Sequence, residues 1–88
     1  MPEKKDDSAF KKQLDDHYRW PSKYLFKFIV PSGKEGEFED IFPGEELKFR
    51  SSKGGKYISI SADVVMNSSD EVMDIYRKAY KIDGVISL

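Results

Sequence analysis

The chain of 88 residues contains no cysteine and a single histidine. The absence of cysteine excludes disulfide bonds, thiolate nucleophiles and cysteine zinc sites, and it fits a reducing compartment. His17 follows Asp15 and Asp16 in a charged N-terminal stretch, where a solvated helical histidine is favoured over a catalytic base. We therefore expect no enzyme activity, no cofactor and no metal ion.

Neither sign of charge is in excess, because fifteen basic and sixteen acidic residues give a formal net charge of -1. Such a chain has no global field to attract a polyanion, so nucleic-acid binding would need a local basic patch. Purely apolar runs reach only three residues, as in Phe28-Ile29-Val30, against about 20 needed to span a bilayer. The charged start MPEKKDD is followed by no apolar segment. These features predict a cytoplasmic protein without a membrane partner.

The periodicity of apolar residues predicts two parts, an N-terminal charged arm over residues 1–20 and one domain over residues 21–88. A composition of 39% hydrophobic and 35% charged residues is typical of a globular domain. In the arm, Ser8 is a candidate N-cap for a short amphipathic helix. The apolar residues of that helix recur at four-residue spacing: Phe10, Leu14 and Tyr18.

Strands are predicted where apolar and polar side chains alternate, at residues 24–30, 46–51, 56–66 and 85–88. In the first strand Leu25 and Lys27 fall on the face opposite the aromatic residues. In the third strand Tyr57, Ser59 and Ser61 share one face. Between the second and third strands, the Lys-Gly-Gly-Lys turn predicts a β-hairpin in which both glycines adopt positive φ.

Two helices are predicted between the strands. Residues 32–43 carry an apolar stripe at i, i+3 and i+4 spacing, and Pro43 limits this helix to two or three turns. Ser68 and Glu71 have the spacing of a capping box at the start of the other helix. Its buried stripe is predicted to comprise Val72, Ile75, Tyr76, Ala79 and Ile82.

The resulting order, β-α-β-β-α-β, predicts an α+β, ferredoxin-like fold. This fold has a four-stranded antiparallel sheet with two helices on one face, here with the N-terminal helix in addition. The other sheet face would carry the apolar residues Leu25, Ile29 and Tyr57, and such a face tends to be covered. The candidates are the N-terminal helix, a second copy of the chain and a client protein.

Several residues also resemble a known family. These are Trp20-Pro21 before the strand that contains Lys27, the pattern Ser-Ser-Lys-Gly followed by Tyr-x-Ser within 51–60, Tyr76, and Lys-Ile-Asp-x-Val at 81–85. Over about residues 20–88 the chain resembles the YbeD-like family of small bacterial proteins. The resemblance implies a ferredoxin-like fold related in shape to ACT-type regulatory domains, which pair and bind small effectors at the pairing interface.

We therefore interpret the chain as a non-enzymatic regulatory or adaptor domain of unassigned pathway. It would act through the open sheet face by self-association as a homodimer, by binding a client protein or by binding a small-molecule effector. Lys27, Tyr57 and Ser59 are the candidate ligand- or partner-binding residues. A lysine within an apolar strand either projects into solvent or contacts an anion or a partner.

Weak single-stranded RNA binding is the alternative interpretation. Residues 53–60 partly match the RNP1 pattern, in which aromatic residues on the open face of this fold stack on bases. Gly55 and Ile60 stand at two of the aromatic positions, so Tyr57 is left as the stacking platform, with Lys27 and other cations nearby. One stacked base is worth roughly 1–3 kcal/mol, so nucleic acid is the less favoured partner.

Overall fold

Two long strands form the centre of the structure, a computed structural model that describes residues 7–87. Side chains in both strands alternate between apolar and polar, which suits a sheet with one buried face. The helices and strands occur in the order α1 (Asp7–His17), β1 (Ser22–Pro31), α2 (Glu37–Ile41), β2 (Lys48–Ser51), β3 (Tyr57–Met66), α3 (Ser69–Ala79) and β4 (Ile86–Ser87).

The four strands form one antiparallel sheet in the order β2-β3-β1-β4. β1 and β3 are the central pair, with Ser22 opposite Met66 at one end and Pro31 opposite Tyr57 at the other. The short strand β2 flanks β3, and the two-residue strand β4 flanks β1. The α+β class and the four-stranded antiparallel sheet are therefore confirmed, with three helices in residues 7–87.

The hydrophobic core lies on one side of this sheet, beneath the helices. Alternate residues of β1 and β3 face it and are almost fully buried: Phe26, Phe28, Val30, Ile58, Ile60, Ala62 and Val64. The apolar stripe of α3 packs against them, and all five residues predicted for that stripe are buried: Val72, Ile75, Tyr76, Ala79 and Ile82. Since successive side chains of a strand point to opposite faces, the remaining residues of β1 and β3 lie on the other side.

The predicted capping box is present at the start of α3. Ser68 Oγ accepts a hydrogen bond from the backbone N–H of Glu71 at 3.2 Å. The Glu71 carboxylate in turn accepts from the backbone N–H of Asn67, one residue before the cap, at 2.9 Å. These bonds satisfy backbone donors that a helix start leaves without partners, and so they fix where α3 begins.

Tyr76 on α3 is the centre of an aromatic cluster. Its ring lies 5.5 Å from that of Phe26 and 5.7 Å from that of Phe28, and its hydroxyl oxygen lies 3.1 Å from that of Tyr24. Burial raises the pKa of Tyr76 well above its ordinary value of 10.0, and the Tyr24 hydroxyl adds to the shift. Burial likewise raises the pKa of Tyr24. These contacts hold α3 to the sheet.

Helix α1 packs against α3, on the helical side of the sheet. The Phe10 ring meets the Tyr76 ring edge to face at 5.6 Å, and Lys11 Nζ donates to Ser69 Oγ at 2.8 Å. Leu14 is buried in the core. Ser8 lies inside α1 rather than at its cap. Three candidates were expected to cover the other face of the sheet. The prediction that the N-terminal helix covers it is wrong for residues 7–17, because this helix lies on the helical side.

Several predicted bounds differ from the structure. Helix α2 has only five residues, because the segment from Pro31 to Gly36 forms turns before it and Pro43 follows it. Only Gly55 of the hairpin turn has positive φ, 75°, whereas Gly54 does not. The last strand was predicted over residues 85–88, and it covers Ile86 and Ser87 in the structure. Leu88 lies outside the described residues.

Within residues 7–87, no helix has the length and apolar character needed to cross a bilayer.

Candidate binding site on the open sheet face

Among residues 7–87, no segment covers the face of the sheet opposite the three helices, and we call it the open face. Four of its apolar residues are about half exposed: Leu25 at 53%, Tyr57 at 46%, Val65 at 55% and Ile86 at 52%. They come from β1, β3 and β4, so the exposed apolar surface extends across the sheet. A surface of this kind typically marks an interaction site.

Strand register places the polar residues of the open face in rows across the sheet. Lys27 of β1 and Lys48 of β2 both lie opposite Ser61 of β3, one on each side. The Cα atoms of the two lysines are therefore separated by two strand spacings, roughly 10 Å. In the next row, Ser59 lies between Ile29 of β1 and Arg50 of β2.

These two rows line a surface hollow of about 510 Å³. We call it the cationic hollow, and its polar lining consists of Lys27, Lys48, Arg50, Ser59 and Ser61. Among residues 7–87, no partner for an ion pair or hydrogen bond reaches the side chains of the three cations. The Ser59 hydroxyl donates to the Arg50 carbonyl at 3.4 Å. The hollow thus offers three positive charges that form no ion pair with the described residues, and two hydroxyl groups.

A second hollow of about 450 Å³ adjoins the first and is mainly apolar. Its apolar lining comes from Ile29, Tyr57 and Ile86, and we call it the apolar hollow. It shares Arg50 and Ser59 with the cationic hollow, so the two are continuous. One ligand could therefore contact both.

Acidic residues bound the opposite end of the cationic region. Asp63 lies opposite Leu25 in the row beyond Ser61. It lines a further hollow together with Glu45, Glu46, Lys23 and the two lysines of the cationic hollow. The purely cationic lining is therefore short, and charges of both signs follow beyond Ser61.

All three residues predicted as the site lie on the open face. Lys27 lines the cationic hollow, Tyr57 lines the apolar hollow, and Ser59 lines both. Sequence reasoning missed Ile86, because alternation in a two-residue strand does not identify its face. Only its pairing with Ile29 does so.

The only histidine lies far from this site in the fold. His17 is exposed at the end of α1, on the helical side of the sheet. The neighbouring Asp15 carboxylate accepts a hydrogen bond from Trp20 Nε1 at 2.9 Å, and this bond lowers the pKa of Asp15. Within residues 7–87, no three His, Asp or Glu side chains cluster in a way that could hold a metal ion.

Comparison with known proteins identifies one family. Residues 15–88 match the family described as "Protein of unknown function (DUF493)", so the match includes all four strands and every residue of both hollows. No curated protein and no solved structure matches the chain. Because the family match covers most of the chain, the resemblance to YbeD-like proteins is confirmed, and the chain belongs to this family of unknown function.

Proposed function

We propose that the chain is a non-enzymatic regulatory or adaptor domain that acts by binding a partner protein or a small effector on its open face. The observation that carries this proposal is the exposed apolar surface next to three cations without described partners. Exposed apolar residues alone would lower the solubility of a monomer, and exposed cations alone are common on solvated protein surfaces. Their combination on one sheet face suits reversible binding.

The domain organisation proposed here is an N-terminal arm over residues 1–20 and a ferredoxin-like domain over residues 21–88. The antiparallel strand order β2-β3-β1-β4 supports this topology. By analogy, the shape relates the domain to ACT-type regulatory domains, which bind effectors where two copies pair. The cysteine-free composition supports a cytoplasmic setting for this role.

Single-stranded RNA binding is the second candidate, and the exposure of Tyr57 beside Arg50 favours it, with Lys27 two rows away on the same face. The other rings of the central strands, Tyr24, Phe26 and Phe28, face the core. Tyr57 is therefore the only ring of the described central strands that is available for stacking on the open face. A single stacked base contributes roughly 1–3 kcal/mol, so this binding would be weak and dependent on low salt.

Affinity capture with three immobilised forms of the full chain tests the proposal. The forms are the wild type, the double variant Lys27→Gln/Tyr57→Ala and the control Lys78→Gln, which changes an exposed lysine on α3. Each form is incubated with lysate of the source cells, and mass spectrometry quantifies the retained proteins and small molecules. Size-exclusion chromatography of each form, at several concentrations, measures self-association.

We expect the wild type and Lys78→Gln to retain the same partner or effector, or to self-associate alike, and the double variant to lose this property. Equal behaviour of all three forms would contradict the open face as the binding surface. If ribonuclease treatment of the lysate abolishes retention, RNA binding replaces the regulatory proposal.

A further inference from the structure

The three cations of the cationic hollow lie close together, and within residues 7–87 no carboxylate forms an ion pair with any of them. Lys27 and Lys48 are separated by one serine position, and Arg50 occupies the adjacent row. Like charges on neighbouring positions of a sheet repel each other. An anion bound above Ser61 would relieve this repulsion, and the flexible stems of both lysines allow their ammonium groups to approach it.

The hydroxyl groups at the floor of the hollow complete the donor set. The Ser61 side chain makes no hydrogen bond to any residue in 7–87, and it lies between the two lysines. Within residues 7–87, the Ser59 hydroxyl bonds only the Arg50 carbonyl, at a long 3.4 Å. An oxyanion in this position could accept hydrogen bonds from Ser61 and from the three cations, and such charge-assisted bonds are the strong ones.

The apolar hollow indicates what the anionic group is attached to. Its volume of about 450 Å³ lies within the range of small-molecule sites, about 300–1,000 Å³. Tyr57 and the two isoleucines, Ile29 and Ile86, offer apolar surface, while Arg50 and Ser59 connect it to the cationic hollow. A ligand that contacts both hollows therefore has an apolar body and one anionic end.

We propose that the open face binds a small organic anion, with its carboxylate or phosphate group in the cationic hollow and its apolar body in the apolar hollow. This inference rests on the proposed function and names the chemical class of the effector. Lys27, Lys48, Arg50 and Ser61 bind the anionic group. Tyr57 packs against the apolar body.

The acidic residues beside the site favour a single anionic group over a polyanion. Asp63, Glu45 and Glu46 lie immediately beyond the Lys27–Lys48 row, in a hollow where they are accompanied by Lys23. A nucleic-acid strand that continued in this direction would bring its next phosphates towards these carboxylates. A ligand with one anionic end, whose apolar body extends away from these carboxylates, brings no further negative charge towards them.

Two matched probes test the ligand class on the full chain: 3-(2-naphthyl)propionate and its neutral amide. They share the apolar body and differ in the charge. Inorganic phosphate serves as a third probe that lacks the apolar body. Binding is followed by amide chemical shifts for the wild type, for Lys27→Gln/Lys48→Gln and for the control Lys78→Gln, with thermal unfolding to show that each variant is folded.

We expect the carboxylate probe to bind the wild type with a dissociation constant of about 1 mM and to shift the signals of Ile29, Tyr57, Ser59 and Ser61. The amide and inorganic phosphate should bind the wild type about tenfold or more weakly than the carboxylate probe does. The double lysine variant should bind the carboxylate probe about tenfold or more weakly than the wild type, and Lys78→Gln should bind it equally. Equal binding of acid and amide would overturn the inference, as would shifts outside the two hollows.

The affinity capture separates failure of this inference from failure of the proposed function. If the probes fail while the open face still retains a protein from lysate depleted of small molecules, the ligand class is wrong and the binding surface stands. If the capture shows no dependence on the open face, the proposed function itself is wrong.

Discussion

Lys27 of β1 and Ser61 of β3 are directly opposite residues in the antiparallel register, so their side chains share the open face. The core-facing neighbours of Lys27 are Phe26 and Phe28, both fully buried. A lysine between two buried phenylalanines is thus explained by alternation alone. The same alternation gives the chain a stable core on one side and a chemically distinct surface on the other.

Two isoleucines test the assignment of the two faces. Ile60 is 1% exposed beneath the helices, whereas Ile86 is 52% exposed on the open face. We expect Ile60→Ala to lower the free energy of unfolding by about 2–5 kcal/mol, because it removes buried methylene groups and leaves a cavity. Ile86→Ala should change it by only about 0.5 kcal/mol, as measured by urea unfolding. Similar losses in both variants would contradict the assignment.

Gly84 is a site where a side chain cannot be added without strain. Its φ is +81°, and a Cβ at this position would lie 2.7 Å from Cγ of Pro31. We expect Gly84→Ala to lower the free energy of unfolding by more than about 1–2 kcal/mol, since the strained backbone and the steric overlap both contribute.

The control for this variant is Gly36→Ala, because Gly36 has a right-handed helical backbone and open space around its Cα. Its effect on stability should be neutral or slightly favourable in the same urea titration. If Gly84→Ala left the free energy of unfolding unchanged, Gly84 would not lie as close to Pro31 as described above.

Ser68 is expected to stabilise α3 through its cap hydrogen bond to Glu71. Ser68→Ala should lower the free energy of unfolding by about 0.5–2 kcal/mol, because the Glu71 N–H loses its acceptor. Ser32→Ala serves as the control, since Ser32 is an exposed loop residue outside every helix and strand. Circular dichroism during thermal unfolding measures both, and equal melting temperatures would exclude a capping role.

The raised pKa values of Tyr76 and Tyr24 predict a loss of stability in alkali. Below the ordinary pKa of 10.0, the folded and unfolded chains both hold these protons. At higher pH the unfolded chain releases protons that the folded chain retains, so the free energy of unfolding falls. The slope is up to about 1.4 kcal/mol per pH unit for each tyrosine.

Tyr76→Phe removes one of these groups and should make the decline shallower than in the wild type. Urea unfolding between about pH 8 and pH 11 measures both slopes. Phenylalanine also removes the hydroxyl contact with Tyr24, so only the pH dependence, and not the absolute stability, is compared. An unchanged slope would mean that Tyr76 titrates alike in the folded and unfolded chains.

Local sequence patterns were sufficient for the features that depend on neighbouring residues. The faces of β1 and β3 follow from alternation, and the start of α3 follows from Ser68 and Glu71. The extent of α2 did not follow, because residues 32–36 form turns before the helix, and the apolar stripe at Phe38, Ile41 and Phe42 does not show where the helix begins.

The remaining features depend on contacts between distant segments. The packing of α1 on α3 depends on Phe10 meeting Tyr76, and an amphipathic stripe alone does not select its partner. The juxtaposition of Lys27 and Lys48 requires the pairing of both strands with β3. For the same reason, Ile86 enters the site only through its pairing with Ile29.

Lysine labelling of the full chain in buffer and in lysate of the source cells most directly tests the claim that the open face is the working surface. In buffer, Lys27 and Lys48 should react with an acylating reagent about as fast as Lys78 on α3, since all three are exposed. In lysate, Lys27 and Lys48 should be protected while Lys78 stays reactive. Unchanged labelling of all three lysines, or protection of Lys78 alone, would contradict the account.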